Sequence, residues 1–294
     1  MTTMKIGSIT QSYADATFSF PNNPKAVDVP FAKNDQMKPI PFSKTHILQG
    51  AGGIATRNLV FTGELHGASR LANLNLLMTE IGDNDIKRFW ISSTRFYYVS
   101  GTTLKHTYQG GRANFIDYVL SMNSMLPYVY DSTENKYEWT TTGDSKTELK
   151  SGISGSTGVF SNDGNAPSFV KWTIENTTGS PITQIDIGDT SDYDTSPNKI
   201  KWELDTGLTS DTTLVIDIFK YVSQGIRGNF KVLEFFYPYN NSGGAKLGKI
   251  TLGGGISGPW VNAGESNQSF SIKLTGNDAA AKVTADWYDS YYIG

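Results

Sequence analysis

Through most of this chain apolar residues recur at every second position. Residues 56–65 set Leu59 and Phe61 on one side and Val60 and Thr62 on the other. Residues 114–122 set Ile116, Tyr118, Leu120 and Met122 against Phe115, Asp117, Val119 and Ser121. Successive side chains of a strand point to opposite faces, so this alternation predicts half-buried strands. Shorter apolar runs at 88–91, 95–99 and 104–108 predict further strands. Ser100-Gly101 reads as a turn between the last two, and Gly110-Gly111 as the next turn. Pro127 suits the end of a run or an edge position.

The period changes once. Leu71, Leu74, Met78 and Ile81 recur at spacings of three and four, with Leu77 widening the stripe, which predicts a helix over 69–81 covering one sheet face. Ser69 is placed to cap its start, and Gly82 stands where a left-handed C-terminal residue is wanted.

Before residue 45 the pattern is interrupted by turn formers. Phe18 and Phe20 precede Pro21-Asn22-Asn23-Pro24, then come Val27, Val29, Pro30 and Phe31. The prolines allow short strands or an extended arm, folded on its own domain or reaching a neighbouring subunit. Gly50-Ala51-Gly52-Gly53 is a flexible loop, and no Lys-Ser/Thr follows at the offset a phosphate loop requires. Phe18, Phe20, Gly50, Gly52 and Gly53 are the candidate contacts between subunits.

Residues 131–167 are polar, glycine-rich at 151–158, and carry Tyr137 and Trp139 as anchors for a small hairpin. That composition marks a junction. It places an N-terminal antiparallel α+β domain at 1–165 and a second domain at 166–294. In the second domain short apolar runs recur between polar turns, at 169–174, 182–187, 200–204, 214–218, 230–237, 247–252, 270–274 and 283–287. Strands without a competing helix predict a β-sandwich or jelly roll. The fold class is therefore mostly β.

Composition narrows the chemistry. The chain has 294 residues and no cysteine, which excludes disulfide scaffolds, thiolate nucleophiles and cysteine metal sites. Lys plus Arg number 25 against 28 Asp plus Glu, a balance without a broad basic footprint for nucleic acid. No run approaches the length of a membrane span, and residues 1–11 lack a secretory apolar stretch, so a protein without membrane insertion is expected.

His46, His66 and His106 show no H-E-x-x-H or other short spacing, and no G-x-S-x-G elbow accompanies them. Each reads as an ordinary strand-end or surface histidine. Glu203, Glu234 and Asp286 stand beside aromatic residues as a glycosidase pair might demand, but nothing in the sequence pairs them. Asp186, Asp189, Asp192 and Asp194 offer hard oxygen atoms to Ca²⁺ without the spacing of an EF-hand loop, and read as a solvated turn. Trp172 and Trp202, on alternating strands, read as core. Trp260, in Gly258-Pro259-Trp260-Val261-Asn262, is the candidate for aromatic contact with a sugar or partner, or for capping the core. No catalytic residue, metal or cofactor is expected.

One family fits the order of these elements. Gly63-Glu64-Leu65-His66-Gly67 leads into the helix, strands follow at 95–99, and 115–120 runs on toward Pro127-Tyr128. This resembles the distal tail proteins of long-tailed bacteriophages. The second half is similar to that family's galectin-like or carbohydrate-module-like sandwich, with Ile174-Glu175-Asn176, Gly179 and Pro181 suiting its opening strands. Leu204-Asp205-Thr206-Gly207 and Leu214-Val215-Ile216-Asp217 suit the next ones. The resemblance spans residues 45–287, with 131–158 as an insertion or longer linker.

The resemblance implies structural work rather than catalysis: a ring, commonly a hexamer, at the tip of the tail tube, in the virion and assembled in the host cytoplasm. N-terminal domains form the ring, sandwiches project outward, and the expected partners are tail tube, hub and fibre proteins. DNA would pass through without specific binding, which a near-neutral chain does not oppose. A ring requires two complementary surfaces on each subunit, and joined β-edges can supply them. The alternatives are a carbohydrate-binding sandwich fused to an α+β domain and a polysaccharide-active enzyme using two carboxylates.

Overall fold

The structure is a computed structural model. It describes residues 3–27, 37–39, 46–48, 58–82, 86–108, 114–124, 128–142, 148–150, 160–190, 193–197, 199–210, 212–216, 238–240, 249–253, 260–276 and 280–292. The fold is mostly β and antiparallel, with one helix among the described residues. That helix is too short to cross a membrane.

The chain divides into two compact units, Met1–Ser132 with Tyr292–Gly294, and Thr133–Tyr291. The division falls inside the strand Val129–Thr142, not near residue 165. The physical reason lies in the polar run at 131–135, which is strand rather than linker. Tyr137, a little further on, already belongs to the second unit's core with Phe160.

In the first unit, Asn58–His66 pairs along its length with Phe115–Ser124, which pairs in turn with Arg95–Tyr108. Lys25–Val27 adds to the outer side of Asn58–His66. From the first half of Arg95–Tyr108 the sheet continues through Lys87–Trp90, Lys5–Ser8 and Phe18–Ser19. The predicted alternation holds: Leu59, Phe61, Ile116, Tyr118, Leu120 and Met122 are all buried. They meet Ile6, Phe18, Phe20, Phe89, Tyr97 and Val99 in one core.

The helix occupies Arg70–Ile81, as the spacing predicts, but its inward face differs. Leu74, Leu77 and Glu80 are buried, whereas Leu71, Leu76 and Met78 are 48%, 43% and 46% exposed. Glu80 can turn inward because Lys87 meets it at 3.4 Å. Ser69 makes no side-chain cap; its carbonyl accepts from Asn73 N at 2.8 Å, and Arg70 Nη1 donates to the Gly67 carbonyl at 3.0 Å. Gly82 has φ −72°, right-handed backbone open to any residue, so the helix ends without the expected left-handed cap.

Lys87–Trp90 is buried on its second face as well. There the Arg88 guanidinium lies 4.7 Å from the Phe96 ring and 5.7 Å from Tyr98, while Tyr98 and Tyr130 meet at 5.0 Å. Cation and rings share a site largely closed to water, where such contacts are strengthened.

Among the described residues the second unit's core is built from two larger sets of strands, beside two-stranded pairings of Phe160–Asn162 with Glu265–Gln268 and of Ser168–Phe169 with Trp260–Val261. In one set, Lys171–Thr178 pairs with Ala280–Tyr291 on one side and Thr212–Ile216 on the other, and Pro238–Asn240 joins the latter. The other runs Glu148–Lys150, Ser271–Thr275, Ile182–Gly188, Lys199–Leu208, Lys249–Gly253. Trp172, Ile174, Leu214, Val283 and Trp287 from the first share one core with Ile185, Ile187, Leu204, Ile272 and Leu274 from the second. Alternation puts the intervening polar residues outside, which is why so many short strands close over one apolar layer. Phe160 fills the middle, 4.4 Å from the Phe270 ring and 4.6 Å from that of Trp287. The expected strand at 230–237 lies outside the described residues.

Candidate assembly surface

Arg95–Tyr108 is one strand of 14 residues, so Ser100-Gly101 is not a turn between two. Its register against Phe115–Ser124 shifts between Ser100 and Thr103, and Gly101 sits there at φ +57°. This is a bulge, a local irregularity that bends a strand without ending it, and its left-handed residue favours glycine. Pairing with Lys87–Trp90 ends at Val99, where pairing with Phe115–Ser124 has already begun on the other side through Val99 and Ser100. Phe96 to Val99 pair with Lys87–Trp90, while beyond the bulge Thr103 to Tyr108 pair with Ser121 to Ile116.

Along residues 103–108 the opposite side of the strand therefore has no neighbouring strand among the described residues. Thr103, Lys105, His106, Thr107 and Tyr108 are all exposed there, Tyr108 to 58%. An open edge presents a row of backbone N–H and C=O groups for pairing with another chain. Lys105 lies on it, a charge of the kind that discourages indiscriminate pairing.

The helix contributes a second feature of the same unit. Its outward positions carry Leu71, Leu76 and Met78 with Asn75 and Thr79, and its two charged residues are Arg70 and the buried Glu80. A helix facing only water normally carries its charges there. The exposed large hydrophobic residues of the described chain are Leu71, Leu76, Met78, Tyr108 and Val119, and every one belongs to the first unit. Among the described residues the second unit contributes none.

The residues singled out by sequence are scattered. Phe18 and Phe20 are 1% and 0% exposed, with their rings 4.9 Å apart inside the first unit's core, and Phe20 also meets Phe89 and Tyr118. They are thus not surfaces for another subunit: this part of the arm is folded on its own domain. Gly50, Gly52 and Gly53 lie outside the described residues. Trp260 is in a short strand, Trp260–Val261, paired with Ser168–Phe169, rather than in a loop. Its side chain is outside what the structure describes.

His46 lies in the short strand His46–Leu48. His66 and His106 are exposed and lie beside Phe115 and Tyr108, at 6.2 and 5.6 Å between rings. Glu203 pairs with Lys201 at 3.1 Å and Asp286 with Lys171 at 3.3 Å, on different sheets. Glu234 and Asp192 lie outside the described residues. Asp186 is buried, and its carboxyl is pushed up by that burial against a hydrogen bond from Gln184. Among the described residues no three His, Asp or Glu side chains are grouped to hold a metal ion. The hydrophobic pattern does not disclose the open edge, because its one local signal, Ser100-Gly101, reads equally as a turn.

No family model and no curated protein matches the chain. Solved structures do resemble it in fold. The Dit (gp 19.1) protein of phage SPP1, described as a paradigm of the hub adsorption apparatus in phages infecting Gram-positive hosts, is 13% identical. The match covers 96% of this chain and 98% of that one, with a TM-score of 0.45. A chain of the phage P2 baseplate in its activated conformation with Ca is 10% identical over 97% and 98% of the two chains, with a TM-score of 0.46. The same baseplate with Sr gives 10% identity, 97% and 98% coverage, and a TM-score of 0.44. At such identities the likeness concerns the path of the chain.

Proposed function

We propose that the chain is a structural component of a phage tail tip or baseplate, assembling through its first unit into a ring that joins the tail tube to the host-recognition apparatus. The observation that carries the assembly reading is the open edge at residues 103–108, in the unit that also holds every exposed large hydrophobic residue among those described. An edge strand with apolar surface nearby is an aggregation hazard unless another chain covers it, and closure into a ring covers it on every copy. The tail setting rests on the order of strand, glycine-flanked turn, helix and strands resembling the distal tail proteins.

In this reading the ring is a hexamer at the virion tail tip, assembled in the host cytoplasm with tail tube, hub and fibre proteins as neighbours. The second unit serves as an outward platform. The role is mechanical and needs no cofactor.

Light scattering with negative-stain imaging tests it, on the chain alone and on the chain mixed with its tail tube neighbour. A closed ring in either sample is expected, with backbone amides of residues 103–108 exchanging more slowly in the ring than in the monomer. A chain that stays monomeric in both and binds a glycan array overturns the reading in favour of a carbohydrate-binding module.

A further inference from the structure

Asp186 occupies a position that alternation assigns to the outer face of the sheet. Its neighbours Ile185 and Ile187 fill the core, yet Asp186 itself is only 3% exposed. Across the sheet it stands opposite Lys201 on one side and Lys273 on the other. On its own strand Gln184 Nε2 donates to both carboxylate oxygens, at 3.0 and 2.8 Å.

The turn that follows the strand lies against this face. A Cβ on Gly188 would come within 2.3 Å of Ser196 Oγ, so the turn sits directly on the strand and only glycine permits it. Ser196 Oγ accepts from Thr190 N at 3.1 Å, and Ser196 N donates to the Tyr193 carbonyl at 3.2 Å, which closes the turn on itself. The same turn carries Tyr193 and Asp194 into electrostatic reach of Asp186.

We propose that this turn and Asp186 form an acid-tightened clasp, in which the turn holds the sheet face more firmly when Asp186 is protonated and less firmly when it is charged. A carboxylate under the turn has lost much of its hydration and faces Asp194, whereas the same group with the turn lifted is bathed in water. Burial, the largest effect, raises the carboxyl, and Asp194 adds to it. The Gln184 hydrogen bond and the Lys201 and Lys273 charges work the other way without cancelling it. The sign follows by linkage. The clasped group is raised above its free value, so the added stability is complete below the ordinary carboxylate range and is lost as pH rises through the raised value.

The proposal concerns the second unit alone and stands apart from the ring. Hydrogen exchange at the Thr190 and Ser196 amides of the full chain, corrected for intrinsic rates, tests it. Protection is expected to rise several-fold from pH 7 to pH 4, since lifting the carboxyl's midpoint by one pH unit changes the clasped ratio about tenfold. D186N should hold a high, flat protection across that range, and D194N should keep the rise. G188A should lower protection at every pH by lifting Ser196. Constant protection in the wild type, or the full rise persisting in D186N, overturns the clasp. Should D186N fail to fold, the side-chain carboxyl ¹³C shift of Asp186 in the wild type decides: a midpoint above the ordinary aspartate value supports the clasp, and one at or below it overturns it.

Discussion

Glu80 on the helix and Lys87 on the strand after it meet at 3.4 Å, with only 9% and 8% of their side chains exposed. Lys87 supplies the counter-charge for the helix's one acidic residue, on the face that Leu74 and Leu77 also turn inward. Removing one partner leaves a buried charge without its counter-ion, which costs about 3–5 kcal/mol, whereas replacing both by apolar residues of similar volume is often neutral. K87M is therefore expected to destabilise the first unit strongly, and E80L/K87M to recover most of the loss. Urea unfolding, followed by exchange of the helix amides, measures both.

The outward leucines and methionine separate folding from assembly. L74A or L77A opens the core and should cost about 2–5 kcal/mol. L71E and M78E change exposed positions and should stay within about 0.5 kcal/mol of wild type. If the chain forms the proposed ring, only the second pair is expected to shift it toward monomer in analytical ultracentrifugation. Loss of stability in L71E comparable with L74A would show that the face is packed rather than presented.

How far the chain could be read in advance depended on whether one residue's environment was local. Ile116, Tyr118, Leu120 and Met122 were legible because a strand with one buried face must alternate. The helix was legible in extent, but not in rotation, since Leu71, Leu76 and Met78 look as apolar as Leu74 and Leu77. The inward face also carries Glu80, which is buried only because Lys87 meets it, a contact between elements. The open edge was illegible for a similar reason: it is defined by which strand stops pairing after Val99. Ser100-Gly101 signals a left-handed residue equally well in a turn or a bulge. The unit boundary was displaced because polar residues 131–135 continue a strand, a pairing that follows from their surroundings and not their composition.

Gly101 tests the bend itself. At φ +57° a β-branched side chain is strained by about 1–2 kcal/mol, and a Cβ would also come 3.1 Å from Asn123 Nδ2. G101V should lower stability by roughly that amount. Because the bulge aims residues 103–108, the proposed ring assembly should suffer more than folding does. Equal losses in both would assign the glycine a purely local role.

Asn162 ties the second unit's small strands together. Its Nδ2 donates to the carbonyls of Ala166 at 2.7 Å and Asn262 at 3.2 Å, while its Oδ1 accepts from Gly164 N at 3.0 Å and Ser290 N at 3.3 Å. N162A strands buried backbone groups on three segments, an expected cost of roughly 2–4 kcal/mol. Trp287, whose Nε1 donates to the Ser161 carbonyl at 2.7 Å, supplies a fluorescence readout of the unfolding midpoint.

Alkali should act on the first unit through its tyrosines. Burial pushes the Tyr118, Tyr128 and Tyr130 phenols above the ordinary value, with Tyr292 adding to the shift at Tyr128 and Tyr98 at Tyr130. A phenol raised in the folded state contributes stability that is complete below the unfolded value, near 10, and is lost as pH climbs from there toward the raised value. Each such tyrosine should remove about 1.4 kcal/mol per pH unit in that window. Exposed phenols ionise first, in the folded chain; the additional phenolate absorbance of Tyr118, Tyr128 and Tyr130 should appear together with unfolding rather than before it. Y130F should shallow the pH dependence by one tyrosine's share. An unchanged slope in Y130F, with this additional phenolate forming while the helix amides stay protected, would show that Tyr130 ionises within the native fold.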